Sequence, residues 1–187
     1  MKNQQTTKHD PLQIFIKANG YSNAYDILSD IKDREMMKTI AQPAMVFAAF
    51  ASELFLKCIA SIEVASVPHG HDLKKLFDSL SAERRQRITV LWDRSVSLRA
   101  DFLQHIEQQT GIPIPRDIDS ALNNGREAFK LLRYSYEKRE KDVEFSLSDL
   151  PIVLLMAVLE IKPEWKAASL RYQRVTSSLG HPKKLGE

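Results

Sequence analysis

The sequence predicts an all-α protein, an up-and-down bundle of five to seven helices, on three observations. Apolar residues recur at steps of three and four rather than two. β-branched residues seldom alternate with polar ones, and there are only six glycines to make tight turns, which argues against a sheet. The stretches between apolar-periodic segments are short, so consecutive helices pack as neighbours. The chain has 187 residues, 43% of them hydrophobic and 27% charged, which suits one folded domain rather than a disordered chain.

Taken in order, residues 1–10 are expected to be a flexible start, 11–175 a single helical domain and 176–187 a mobile tail. Pro11 suits a first helical position and opens a helix over residues 12–18, which Asn19-Gly20 ends. Ser22 caps a second piece carrying Tyr25, Ile27, Leu28 and Ile31. Residues 43–62 form the most apolar helix. Met45, Val46, Phe47, Phe50, Leu54, Phe55, Leu56, Cys58, Ile59 and Ile62 surround nearly its whole circumference. A helix of that kind belongs at the centre of a bundle or in a subunit interface, and both are expected here. Its polar residues, Glu53, Lys57 and Ser61, fall at steps of four and share one narrow stripe. Glu53 before Lys57 is the favourable order for a surface ion pair; the other reading is a stripe facing a cleft.

Val67-Pro68-His69-Gly70 reads as a loop, and Asp72 begins a short helix over residues 73–80. Ser81 opens the next helix, with Ile88, Leu91, Trp92, Val96 and Leu98, extending toward Ile106. Gly111-Ile112-Pro113-Ile114-Pro115 is a linker. A long helix follows over residues 118–141, with Ile118, Leu122, Gly125, Phe129, Leu132 and Tyr136 on its core face. Ser148 or Asp149 caps the next helix, Pro151 sits in its first turn, and it ends near Pro163. A last short helix spans residues 165–174.

Composition narrows the function classes. A formal charge of +3 is too mild to announce a nucleic-acid binder by itself. The lone cysteine, Cys58, sits in an apolar run and reads as a small buried hydrophobe. The five histidines and one cysteine show no metal-ligand spacing, and there is no glycine-rich phosphate loop, so no metal and no cofactor are expected. The polar start carries no signal-like apolar stretch. The apolar run over residues 150–159 is about half the length that spans a bilayer. A cytoplasmic location without membrane association is expected.

Three segments, in this order, look familiar: Ala48-Ala49-Phe50-Ala51-Ser52-Glu53-Leu54-Phe55-Leu56-Lys57, then Gly70-His71-Asp72-Leu73, then Arg133-Tyr134-Ser135-Tyr136-Glu137. Together they resemble domains of the HEPN superfamily, from a prokaryotic branch with Arg-Tyr-x-Tyr-Glu on the late helix. The resemblance covers roughly residues 40–160. It implies a helical bundle that dimerises and that binds RNA or nucleotides. In many members it implies metal-independent endoribonuclease activity in bacterial defence or toxin–antitoxin systems, with an antitoxin or other protein as partner. Active members carry Arg, four to six residues, then His on the late helix. Residues 134–140 contain no His, so this chain departs from that pattern. Arg99 and His105 match the spacing, but before the linker and about 120° apart on a regular helix.

The candidate constellation is Glu53, His71 and Arg133 as the catalytic set, with Lys57, Tyr134, Tyr136 and Glu137 as ligand-binding residues. Arg133 held by a carboxylate can offer its other N–H groups to a phosphate. Tyr134 can stack on a base, and His71 can exchange a proton near neutral pH. The plainer reading is a structural clamp of Arg133 between Glu53 and Glu137, with His71 packing the Gly70 turn. Two basic groups, Arg84/Arg85/Arg87 and Lys162/Lys166/Arg171/Arg174/Lys183/Lys184, are either solvated faces or nucleic-acid contacts. The alternative to an RNA-binding domain is a non-catalytic helical dimerisation or protein-interaction module.

Overall fold

The computed structural model describes residues 10–111, 113–126 and 149–169. Among these there is no strand, and the all-α expectation holds. The helices are α1 (Pro11–Ser29), α2 (Arg34–Val64), α3 (Leu73–Asp78), α4 (Ala82–Leu98), α5 (Ala100–Thr110), α6 (Ile118–Asn124) and α7 (Leu150–Ile161), followed by a 3-10 turn, Pro163–Trp165.

The centre is α2, and it is wrapped by its own chain. It packs along α1 and against α7 and α3. Phe55, Leu56, Cys58 and Ile59 are fully buried, and Ala48, Ala49 and Ala51 let the neighbouring backbones approach closely. Tyr21 stacks on Phe47 and Phe50, Phe15 meets Phe55, and the Cys58 thiol donates to the Pro11 carbonyl at 3.4 Å. As α1 is followed backwards, α2 is followed forwards, so the two form an antiparallel hairpin. By length and composition alone, residues 39–64 are apolar enough to cross a membrane. In the fold most of that stretch is buried against protein, as the core helix of a soluble bundle would be. Burial and the nearby Asp10 push the Cys58 thiol up to about 12, so the small-hydrophobe reading of this residue stands.

Four sequence expectations are corrected. Asn19-Gly20 does not end α1, which runs on to Ser29. A helical glycine costs about 1 kcal/mol, but the packing of α1 on α2 outweighs it. Asn19 is buried and accepts from Ser169 at 3.4 Å, and Ser22 is buried within the helix rather than capping one. Second, α2 starts at Arg34, not at Pro43. Asp33 is the real cap, accepting from Met36 N at 2.7 Å, and exposed Pro43 lies inside the helix. Proline at that place forfeits one helical bond, and the Asp33 cap starts the helix upstream of it.

Third, the helix opened by Ser81 stops at Leu98, and Arg99 joins it to a separate α5. Fourth, the helix begun at Ile118 ends at Asn124. The buried Gly125 caps it, donating its N–H to the Ala121 carbonyl. The remainder of the expected 118–141 helix lies outside the described residues, as do Ser148 and residues 170–174 of the last helix.

The expected caps Asp72 and Ser81 are both present. Asp149 begins α7, but its carboxylate pairs with Arg99 instead of capping. At the other end of the same pair of helices Arg87 grips Glu160 through two bonds of 2.7 and 2.6 Å. These two ties fix α4 antiparallel to α7. Glu63 at the end of α2 accepts from both Ser81 N and Ser81 Oγ, at 3.1 and 2.6 Å, pinning the start of α4.

Replacing Phe55 with Ala should lower unfolding free energy by about 3–5 kcal/mol, read from urea denaturation, because α2 is held on all sides and the cavity cannot collapse.

Candidate functional site

The Glu53–Lys57–Ser61 stripe exists, but it does not lie on the surface. Glu53 is only 4% exposed, and Ser61 is buried as well. The turn after α2 explains why. Ala65 ends the helix with a left-handed φ of 53°, its N–H bonded to the Ser61 carbonyl at 3.0 Å. Gly70, at φ 95°, supplies a second left-handed residue, a conformation that glycine adopts without steric penalty. Between them the chain reverses and lays His71 over the stripe.

Three groups then meet on one carboxylate. Lys57 Nζ lies 2.8 Å from Glu53 Oε1, the i,i+4 pair expected from the spacing. His71 Nδ1 lies 3.0 Å from each Glu53 oxygen. The imidazole itself remains 64% exposed. A carboxylate on Nδ1 favours the tautomer that carries its proton there and orients the ring.

Asp72 extends the cluster. One oxygen accepts from Lys75 N at 3.0 Å and caps α3, while the other holds Arg126 Nε at 2.7 Å. The Leu73 N–H donates to the Arg126 carbonyl at 3.4 Å, so the end of α6 is tied to this turn by backbone as well. Burial opposes ionisation of Asp72. The Arg126 bond and the Lys75 N–H outweigh it and hold the carboxyl below its usual range.

Of the seven sequence candidates, Glu53, Lys57 and His71 therefore come together. Arg133, Tyr134, Tyr136 and Glu137 lie outside the described residues. Arg126 was not anticipated. It is 54 residues from Asp72, and the only pointer in the sequence was the position of Asp72 directly after His71.

The other candidates are tied elsewhere. Although the helix does break at Arg99, its guanidinium pairs with Asp149 and lies 4.9 Å from the Phe102 ring, while exposed His105 contacts Gln109 at 2.9 Å. Arg84 sits 3.5 Å from Glu63 and Arg87 on Glu160. Both line an open depression of about 530 Å³ with Glu83, Gln86 and Val90. Of the C-terminal basic group only Lys162 and Lys166 are described; Lys162 faces Glu164 at 3.7 Å and the Trp165 ring at 6.0 Å. Among the described residues no cluster of His, Cys, Asp or Glu could hold a metal ion.

Two outcomes follow from this geometry. Glu53→Ala leaves Lys57 half-buried without its counter-charge and should cost about 3–5 kcal/mol, whereas Glu53→Leu with Lys57→Met should cost much less; a double-mutant cycle in urea measures both. Asp72→Asn keeps the helix cap but gives up the charge pair. Asp72 is held below its unfolded value, so its contribution is complete above about pH 4 and fades as pH falls through the folded value. The stability gap between wild type and Asp72→Asn should be constant near neutrality and close in acid. Comparison of the chain with models of known protein families, with curated proteins and with solved structures finds no match.

Proposed function

We propose that this chain is a HEPN-like domain that binds RNA or a nucleotide, with His71, aimed by Glu53, as its proton-transfer group. The observation that carries the reading is the contact of a buried carboxylate with a largely exposed imidazole, 3.0 Å from Nδ1. Two of the three segments on which the HEPN resemblance rests, around Glu53 and around His71, supply the two partners of that contact. The same resemblance suggests a cytoplasmic bacterial protein of a defence or toxin–antitoxin system, acting as a homodimer or with an antitoxin.

The chemistry open to such a pair is metal-independent cleavage of RNA. His71 Nε2 takes the proton of a 2′-hydroxyl, and the freed oxygen attacks the adjacent phosphorus. The 5′-oxygen leaves and gains a proton from solvent, giving a 2′,3′-cyclic phosphate and a 5′-hydroxyl end. Glu53 keeps the ring in its tautomer and stabilises the imidazolium once it forms. Arg133, on the third segment, would then meet the phosphate, with Tyr134 and Tyr136 against bases.

A second reading is a non-catalytic dimerisation or protein-interaction module. What favours it is an apolar pair one turn apart where α4 meets α5, Leu98 and Phe102, 78% and 52% exposed. The greasy circumference of α2, covered by its own chain, no longer asks for a second subunit.

His71→Gln should reduce RNA cleavage about 100-fold while leaving the melting temperature close to wild type, because the ring is exposed. Assays with labelled RNA and scanning calorimetry check both. No measurable affinity of the purified wild type for any RNA or nucleotide at low salt would remove the proposal. A dimer mass by light scattering in that case would leave the interaction module standing.

A further inference from the structure

We infer that the depression between the start of α4 and the end of α7 binds a nucleoside monophosphate, with its phosphate on Arg84 and Arg87. The inference shares a ligand class with the reading above but none of its residues, so either can fail without the other.

The depression is built from two helices. Glu83, Gln86, Arg87 and Val90 fall at steps of one, three and four along one side of α4, Arg84 flanks them, and Glu160 closes the end from α7. Its volume, about 530 Å³, falls within the range of small-molecule sites, roughly 300–1,000 Å³. Two ties keep its shape. Arg87 Nε and Nη2 sit on the two Glu160 oxygens at 2.7 and 2.6 Å, and Glu63 holds Ser81 N and Oγ three residues before Arg84.

Donors remain after those ties. The Glu160 fork engages Nε and Nη2 of Arg87 and leaves Nη1 with both of its N–H groups. Arg84 has an ion pair alone, Nε to Glu63 at 3.5 Å, which is longer than a good hydrogen bond. Among the described residues neither guanidinium has a further hydrogen bond or ion pair. The Arg84 side chain is only 31% exposed, so a planar set of donors stands half-shielded from water without an acceptor. The Arg87 bond holds the Glu160 carboxyl below its usual range against the effect of burial, and the charge of Arg84 adds to it, so both guanidinium groups lie around one carboxylate. Arginines arranged in this way meet phosphate oxygens in pairs.

The rest of the lining selects the class of ligand. Arg84 and Arg87 are balanced by Glu83 and Glu160, so the wall lacks the positive field that gathers a polyanionic strand. A single phosphate on an uncharged body suits it better. Glu83, exposed and without an ion pair among the described residues, can accept from sugar hydroxyls. Gln86 carries an amide that both donates and accepts, as a base edge requires, and Val90, 43% exposed, offers an apolar surface to a base face. The ligand is therefore a ribonucleoside with one terminal phosphate, either free or at the end of an RNA.

The test is a calorimetric titration of the full chain with each of the four common ribonucleoside 5′-monophosphates, with inorganic phosphate, and with decauridylate carrying either a 5′-phosphate or a 5′-hydroxyl. At least one monophosphate should bind, and more tightly than inorganic phosphate. Arg84→Gln breaks no hydrogen bond of the fold, so its melting temperature should stay close to wild type while affinity falls about tenfold, the loss of one charge-assisted contact. Val90→Asp, which sets a negative charge in the depression, should weaken binding as well. Arg94→Gln, exposed on α4 outside the depression, should bind like wild type. A preference of decauridylate for the 5′-phosphate that vanishes in Arg84→Gln assigns the site to an RNA end, and an effect confined to the free monophosphates assigns it to those; either supports the inference. Binding of none of the four, inorganic phosphate binding as tightly as they do, or wild-type affinity in Arg84→Gln and Val90→Asp would each overturn it. If one of these two variants does not fold, the other decides. A loss seen in His71→Gln but not in Arg84→Gln ends this inference and leaves the reading above; the reverse pattern, with no RNA cleavage, leaves this inference and ends that reading.

Discussion

A carboxylate inside an apolar bundle must be given its counter-charges, and at Glu53 that requirement organises half the molecule. An isolated buried charge costs several kcal/mol, and a single partner rarely repays the loss of water from both ions. Lys57, one turn along α2, supplies the nearest charge at 2.8 Å. His71 supplies the second partner only if the chain turns back sharply after Val64. The left-handed Ala65 and Gly70 make that return. Because His71 must sit over Glu53, Asp72 must start α3 where it does, and Arg126 follows Asp72. One buried charge thus fixes the end of α2, the start of α3 and the end of α6.

Around this knot the bundle is held by apolar contact, and its ion pairs serve mainly to set register. α2 contributes Phe55, Leu56 and Ile59 to a core completed by Phe15 from α1, Leu76 and Phe77 from α3, Ile88, Leu91 and Trp92 from α4, and Val153, Leu154 and Val158 from α7. The Arg87–Glu160 fork sits at the surface, where such a pair adds little net stability. It matters more for where α4 lies than for how tightly. With Arg99–Asp149 at the opposite end and Glu63 on Ser81, α4 is prevented from sliding along α7.

These two kinds of interaction explain what could be read in the sequence. The apolar α2, the α3 and α4 caps at Asp72 and Ser81 and the Glu53–Lys57 pair are local: each follows from spacings of three or four residues. The failures are places where distant packing overrode a local signal. Asn19-Gly20 looked like a helix end, but the helix continues because its neighbours bury that stretch and Ser169 donates to the Asn19 amide oxygen. Pro43 looked like a helix start, but Asp33 caps ten residues earlier. Arg99 looked like mid-helix, but the helix breaks there and Asp149 takes the side chain. For the site, spacing gave the Glu53–Lys57 pair but not its depth. Whether a polar stripe meets water depends on what lies across it, and the turn that covers this one is set by a residue eighteen positions on.

The distribution of exposure over the knot bears on what it is for. A clamp is most stable when both partners are dry, closely packed and satisfied, since exposure admits water to compete for each bond. Glu53 meets that description, and Lys57 nearly does. His71 does not: its Nδ1 is committed to the buried carboxylate, while most of the ring faces solvent. If the task were only to neutralise Glu53, a second lysine or a backbone N–H would serve, and neither would present a titratable ring at the surface. Anchoring an imidazole by one nitrogen and exposing the rest restricts its rotation without restricting access. Those are the two conditions a proton-transfer group has to meet together, because a freely rotating ring is seldom aligned and a buried one is never reached. One residue later, Asp72 spends one oxygen on the helix cap and the other on Arg126 Nε. Two consecutive residues thus tie the end of α2 to the start of α3 and the end of α6, and the imidazole keeps its exposure within that tie.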